Sequence, residues 1–348
     1  MDARRSIDTL QAGRAFAALA VVLYHANITL ALPKYLGNDI CPPLDFADCG
    51  VQYFFVLSGF VMWLIHGRDV GQPARAPLFL LKRVQRIYPP LWGVLLLLVP
   101  AYAVSPDPGH GDGLHLWTLV SAFLALPVSR ETLLGTEWTL RHELLFYLMF
   151  ALLIWRPRKG GAAMVLWLAL SVVGGLVRPQ FPAGFLFAGQ HLLFAFGVLA
   201  CIVWRRGPVP RPGLVLALGL QLFFTTWVLL YSLRGILHHS ALTDWCYGLG
   251  AALAVLGGAG LETRRPLRLP RALLFLGEAS YSIYLVHFPV VIALCKLAVP
   301  LRGAGLDPWL LAVVVVFATT AGIAFHRWVE RPLLGLFQQH LVVRLQGS

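Results

Sequence analysis

Eleven apolar runs follow one another along this chain, near residues 11–32, 50–66, 89–104, 114–128, 138–155, 161–177, 184–204, 213–233, 244–261, 273–299 and 309–326. Most reach the ~17 to 25 residues that an α-helix needs to cross the hydrocarbon core of a bilayer. In lipid, backbone polar groups must be satisfied without water, which a helix achieves within its own segment. The expected fold is therefore an all-α integral membrane protein. Composition agrees: 58% of the 348 residues are hydrophobic and 13% charged, far from the balance of soluble domains. The first run is long enough to span and lacks the assembled features of a cleaved signal peptide, so it reads as a retained helix.

In a soluble protein a net charge of +12 would suggest a nucleic-acid partner, but the placement of the cations points to the bilayer instead. Run 114–128 is short, flanked by polar residues and ends at Pro127. If it does not cross and the N-terminus is inside, 21 of the 28 Lys and Arg residues fall inside. These are Arg4, Arg5 and Arg14; Arg68, Arg75, Lys82, Arg83 and Arg86; Arg156, Arg158 and Lys159; Arg205, Arg206 and Arg211; Arg264, Arg265, Arg268 and Arg271; and Arg327, Arg331 and Arg344. Lys34, Arg130, Arg178, Arg234 and Arg302 fall outside, and Arg141 and Lys296 lie in or at the edge of spans. The positive-inside rule then selects ten transmembrane helices, both termini cytoplasmic, and a re-entrant or half-span segment near 114–128. No repeat or low-complexity block interrupts the series, so 1–348 reads as a single membrane domain without an appended soluble one. The longest loops are expected at 33–49, 67–88 and 105–137.

The five cysteines have no metal-ligand spacing, and no metal is expected. Cys41 and Cys49 share an outside loop, where an oxidising compartment allows a disulfide, but loop membership does not establish pairing geometry. Cys201, Cys246 and Cys295 read as small apolar fillers or helix-end residues.

Ionisable side chains are costly in hydrocarbon, and those that persist line cavities or find partners. Span 1 carries Arg14 and His25. Eleven residues at about 100° each make three turns plus roughly 20°, so both share one helix face, ~16 Å apart along the axis. An anchor that snorkels and a hydrogen-bonded structural histidine would explain them as well as a site does. In "LKRVQRIYPPLW", Arg83 and Arg86 share a face if the segment is helical up to the Pro89-Pro90 break. Paired guanidinium groups suit phosphate oxygens, although cytoplasmic charge bias accounts for them too. "EWTLRHELLFYL" places Arg141, His142 and Glu143 at the outer start of a span. In "GEASYSIYLVHFP", Ser280, Tyr284 and His287 form an i, i+4, i+7 stripe, with Glu278 and Tyr281 nearby. Such a stripe can knit helices together or line a transporter's cation path.

Together these segments resemble the acyltransferase 3 membrane acyltransferases, which O-acylate cell-surface polysaccharides, antibiotics and related acceptors. The resemblance rests on "LQAGRAFAALAVVLYHA", "FFVLSGF", "KRVQRIYPP", "WTLRHELLFYL", "EASYSIYLVH" and "ERPL", in the family's order and spread over most of the chain. The exopolysaccharide acetyltransferase branch is the most similar. Thr139 stands where the family more often has Ser, and "RH" precedes Glu143.

The resemblance implies a cytoplasmic acyl-CoA donor, with acetyl-CoA expected, no permanently bound cofactor, and a glycan or glycolipid hydroxyl as acceptor. It makes His25 the general base, Arg14 the group that orients the donor or stabilises developing charge, and Glu143 the residue that orients His25 or binds acceptor. Arg83 and Arg86 would hold CoA phosphates, with Tyr284, His287, Ser280 and Trp138 lining the substrate site. Localisation would be the inner (plasma) membrane, with the bilayer and proteins of envelope polysaccharide synthesis as partners and no nucleic acid. Two alternatives remain open at this level. One is a transporter or flippase for a lipid-linked sugar or acyl group that uses the same residues as a proton relay; the other is an acyl-serine intermediate on Ser58, which otherwise joins Gly59 in close helix packing.

Overall fold

The computed structural model describes residues 7–104, 114–129, 132–233 and 240–336. The chain ends and Arg4, Arg5, Arg130, Arg234 and Arg344 lie outside them. Every described element is helical: α1 (Asp8–Leu30), a 3-10 turn (Pro42–Cys49) leading into α2 (Gly50–His66), α3 (Arg75–Val104), α4 (Leu116–Phe123), α5 (Trp138–Trp155), α6 (Pro157–Val177), α7 (Ala183–Leu186), α8 (His191–Arg206), α9 (Pro212–Ser232), α10 (Ala241–Arg264), α11 (Arg271–Ala298) and α12 (Asp307–Phe325), which runs into a wide π turn (His326–Glu330). Among the described residues, ten helical segments are long and apolar enough to cross a membrane. Helix α4 is not one of them: eight residues rise only about 12 Å against a ~30 Å hydrocarbon core. Its C-terminal carbonyls are held by α3, with Trp92 donating to Phe123 (2.8 Å) and Tyr88 to Leu124 (3.0 Å).

Most of the expected 67–88 loop is helix. Helix α3 begins at Arg75 and continues through Pro89 and Pro90, so the expected break is absent. Proline removes backbone donors and crowds the preceding turn, but a buried neighbour can restrain the loosened turn. Here Tyr281 on α11 donates to the Ile87 carbonyl at 3.0 Å. The expected 33–49 loop likewise includes the 3-10 turn, and the Cys41 and Cys49 thiols within it are unbridged.

Helices α1 and α11 pack in parallel, because Gln11 backbone meets Gly277 at one end and His25 meets His287 toward the other. Helix α2 runs antiparallel to α1, with Tyr53 over Gly13 and Gly50 against Ala17. On its other side, Gly59 abuts Phe194 backbone and Gly197 abuts Val56 backbone, an approach to α8 that any Cβ would obstruct. Helix ends are satisfied by charge. Glu262 accepts from the Asp8 and Thr9 amides (2.9 and 3.0 Å) at the start of α1. Arg205 donates to the Trp63 and Leu64 carbonyls at the end of α2.

Candidate functional site

The face of α1 that bears Arg14 and His25 is the face docked on α11. Arg14 Nε donates to Ser280 Oγ at 3.0 Å, and His287 Nε2 lies 3.1 Å from His25 Nδ1. The Ser280, Tyr284, His287 stripe is thus the partner of the Arg14, His25 stripe. His287 and Ser280 are fully buried, while Arg14 and His25 are half-buried. The His25 ring packs between Tyr24 and Phe288, with centroids 4.9 and 4.8 Å away.

A cavity of about 100 Å³ opens beside this seam. Arg14, Arg86 and Ser280 contribute to it from α1, α3 and α11; Ser58, Glu143 and Tyr147 come from α2 and α5; Phe54, Phe55, Leu57 and Met62 give it an apolar wall. Arg14 uses Nε on Ser280, and Arg86 has no hydrogen-bond partner among the described residues, so two guanidinium groups offer donors to one small space. Glu143 balances them. Its Oε1 accepts from Ser58 Oγ (2.8 Å) and from the Tyr147 hydroxyl. The Glu143 carboxylate therefore belongs to the cavity, whereas the hydrogen-bonded side-chain partner of His25 is His287.

Neither histidine of that pair lines the cavity. Tyr284 joins the two places. It forms part of the cavity wall, its ring centroid is 5.8 Å from that of His287, and its hydroxyl meets Thr139 Oγ1 at 2.9 Å and the Thr136 carbonyl at 3.3 Å.

Arg83 and Arg86 do not form one clamp. Arg86 is exposed and reaches the cavity, while Arg83 is 7% exposed and absent from the cavity wall. Its Nη2 lies 3.2 Å from His66 Nε2, and His66 Nδ1 lies 2.8 Å from Asp69 Oδ2. The guanidinium sits over the Phe79 and Tyr147 rings, 5.7 and 5.8 Å from their centroids. Three residues along a helix differ by about 60° in direction, enough here to bury one arginine and leave its neighbour in the cavity.

Arg141, His142 and Glu143 separate even more, since consecutive helix positions diverge by about 100°. Arg141 pairs with the fully buried Glu137 at 3.1 Å. Burial raises the Glu137 carboxyl to about 7, with the Arg141 charge opposing the shift. His142 turns to His191 (Nδ1 to Nε2, 2.9 Å), whose Nδ1 lies 3.3 Å from Ser171 Oγ. Trp138 is 41% exposed, stacks edgewise on Phe55 and His142, and does not line the cavity.

Several polar residues at or near the site carry no pattern of their own in the sequence: His66, Asp69 and His191 lie at or just beyond the ends of spans, and Glu137 and Tyr147 stand within "EWTLRHELLFYL" without a spacing that marks them. Glu330 was visible only as part of "ERPL". It accepts from Ser282 and meets His326 Nδ1 at 2.6 Å, a buried carboxylate whose charge reaches Arg14. Among the described residues, no three His, Cys, Asp or Glu side chains are grouped to hold a metal ion.

A family profile described as "Acyltransferase domain" matches residues 7–328. Curated relatives agree with it. The chain is 34% identical to "Exopolysaccharide production protein ExoZ" of Rhizobium meliloti (strain 1021), over 82% of this chain and 89% of that protein. It is 26% identical to "Acyltransferase MdmB" of Streptomyces mycarofaciens, over 95% and 92%. With "Peptidoglycan O-acetyltransferase OatA" of Listeria monocytogenes serovar 1/2a (strain ATCC BAA-679 / EGD-e) the identity is 24%, covering 95% of this chain and 56% of that protein. No solved structure matches.

Proposed function

The chain belongs to the acyltransferase 3 family, and from that premise we propose that it moves an acyl group, acetyl in the first instance, from cytoplasmic acyl-CoA to a hydroxyl of a cell-surface glycan. The relatives support the glycan and the acetyl group, since one is named for exopolysaccharide production and another as a peptidoglycan O-acetyltransferase. The observation that carries the reading is the α1–α11 seam. It aligns an arginine that opens into a cavity, Arg14, with a partnered histidine deeper along the same face, His25.

Donor phosphates carry negative charge and planar oxygen sets, which guanidinium groups recognise bidentately. Arg86 and Arg14 are the donor's anionic contacts in this reading. Arg83, enclosed by His66, Phe79 and Tyr147, supports the cavity from behind and takes no phosphate. The acceptor hydroxyl attacks the thioester carbonyl while His25 takes its proton, an imidazole role suited to neutral pH. The new C–O bond replaces the C–S bond, and the thiolate leaves as the free thiol after receiving that proton. Arg14, ~16 Å from His25 along the axis of α1, orients the donor from its anionic end. Tyr284, between the cavity and the histidine pair, orients the acyl group or the acceptor.

An even number of spanning-length helices and the excess of Arg and Lys in alternate connections support a topology with both ends in the cytoplasm. The protein then lies in the inner membrane as one domain, α4 forms a half-span on the outer side, and proteins of envelope polysaccharide synthesis supply the acceptor.

Incubating the purified protein with labelled acetyl-CoA and membrane-derived polysaccharide precursors tests the reading. Label on the glycan is expected. Movement of a sugar lipid across liposomes without acyl transfer or CoA release, over a range of donors and acceptors, would make it a flippase instead.

One contact favours a second route. Ser58 donates to Glu143 inside the cavity, a nucleophile and a carboxylate base in hydrogen-bond contact. Transfer of the acyl group first to Ser58 would leave label on the protein after incubation with donor alone and denaturation, and Ser58→Ala would remove it.

A further inference from the structure

The hydrogen bonds at the α1–α11 seam fix which nitrogen of His25 is basic. A carbonyl oxygen only accepts, so the approach of His25 Nδ1 to the Val21 carbonyl at 3.0 Å requires a proton on that nitrogen. His287 obeys the same logic: its Nδ1 lies 3.0 Å from the Ile283 carbonyl and carries its proton there. The neutral His287 ring therefore presents a lone pair at Nε2. That lone pair lies 3.1 Å from His25 Nδ1, so the single His25 Nδ1 proton is shared between Val21 and His287. His25 Nε2 is left without a proton and, among the described residues, without a hydrogen-bond partner, and unlike the fully buried His287 it belongs to a half-buried ring.

We propose that His287 is a positioning residue: it holds His25 in the Nδ1–H tautomer, so that Nε2 is the nitrogen that takes the acceptor proton. This rests on the acyl-transfer reading for its chemistry, though the tautomer itself does not. When Nε2 is protonated, the imidazolium still has the His287 lone pair to receive its Nδ1–H. The positive charge is thereby met by a second acceptor at the helix seam, where an unmet buried donor would be costly. After C–O formation and C–S cleavage, Nε2 returns its proton to the departing thiolate, and both rings end as they began. Phe288 and Tyr24 pack against the His25 ring, with centroids 4.8 and 4.9 Å away, and limit its rotation.

Two measurements test this. In steady-state acyl transfer, His287→Leu, which offers no acceptor, should lower kcat roughly 10²-fold with the KM for acetyl-CoA within about twofold. His287→Gln, whose amide oxygen can accept the same proton, should recover most of that loss. Equal defects in Leu and Gln, or a loss carried by KM, would overturn the proposal. The second measurement needs no turnover and no variant that must fold: nuclear magnetic resonance of wild-type protein with 15N-histidine. A protonated Nδ1 and unprotonated Nε2 on His25, with scalar coupling across the bond from His25 Nδ1 to His287 Nε2, is the expected result. An Nε2–H tautomer at His25, or no such coupling, would overturn it. If wild type transfers no acyl group yet shows the coupling, the enzymatic reading fails and the tautomer stands.

Discussion

The α1–α11 seam and the junction of α5, α6 and α8 each bury a hydrogen-bonded pair of imidazoles, 3.1 Å apart for His25–His287 and 2.9 Å for His142–His191. The surroundings differ. In the first pair both Nδ1 atoms face backbone carbonyls, which accept only. In the second, His191 ends on the Ser171 hydroxyl, which can donate or accept, and lies 4.5 Å from the Trp167 ring. Tyr284 links the first pair to a cavity with two arginines, whereas no member of the second lines that cavity. A buried histidine pair is therefore not a site by itself; one-way hydrogen bonding and a link through Tyr284 to a charged cavity set apart the pair that holds the proposed base.

The sharpest way to break this contrast is a matched pair of variants. His25→Ala should lower acyl transfer by roughly 10³-fold or more with little loss of folded protein. His142→Phe should keep transfer per folded molecule within about threefold but lower the thermal midpoint in detergent, because His191 is left with an unmet buried group costing about 1–3 kcal/mol. Loss of transfer in well-folded His142→Phe would erase the distinction between the pairs.

The cavity side of the contrast can be sharpened with the two arginines of α3. Arg86→Gln should raise the KM for acetyl-CoA about tenfold, equivalent to ~1.4 kcal/mol. Arg83→Gln should leave that KM unchanged and reduce the yield of folded protein instead. An increase in KM with Arg83→Gln would return Arg83 to the donor site.

Tyr284 gives a smaller effect. Tyr284→Phe removes the hydroxyl bond to Thr139 and should change kcat by roughly three- to tenfold, in keeping with one neutral hydrogen bond of ~1 kcal/mol; Thr139→Val should act alike. Unequal results would separate the cavity wall from the tie to α5.

The smallest effect is a pH dependence of stability at the start of α5. Burial raises the Glu137 carboxyl to about 7, above its unfolded value, so the folded state favours the protonated form there. The stabilising contribution is fully present below the unfolded value near 4.3 and is lost as pH rises toward and through about 7. The thermal midpoint of wild type should fall over that window relative to Glu137→Gln, measured by intrinsic fluorescence at fixed salt. A parallel pH dependence in the two proteins would contradict this assignment.

The comparison also shows how far local periodicity reaches. It put Arg14 with His25 and Ser280 with Tyr284 and His287, and in the structure those two stripes meet each other. It also suggested one face for Arg83 and Arg86, which meet separate surroundings in the structure, and the consecutive Arg141, His142 and Glu143 likewise turn to separate neighbours. Trp138, which the family resemblance assigned to the substrate site, packs on Phe55 and His142 and is absent from the cavity wall. His191 carried no sequence signal, and Glu137 no assigned role, because a single polar residue at a span's edge looks like ordinary interfacial sequence.

The amino-acid sequence alone determined the number and type of spanning segments, their order and the shared face of Arg14 and His25. These depend on hydrophobic length and on the fixed 100° step of a helix, both local quantities. Only the tertiary structure decided that this face docks on α11, that His25 is paired with His287 and Glu143 with Ser58 and Tyr147, and that Arg86 enters the cavity without Arg83. Those outcomes depend on which helices can approach closely. That is set by small residues and side-chain shapes far apart in the chain, such as Gly277 against Gln11 and Gly59 against Phe194.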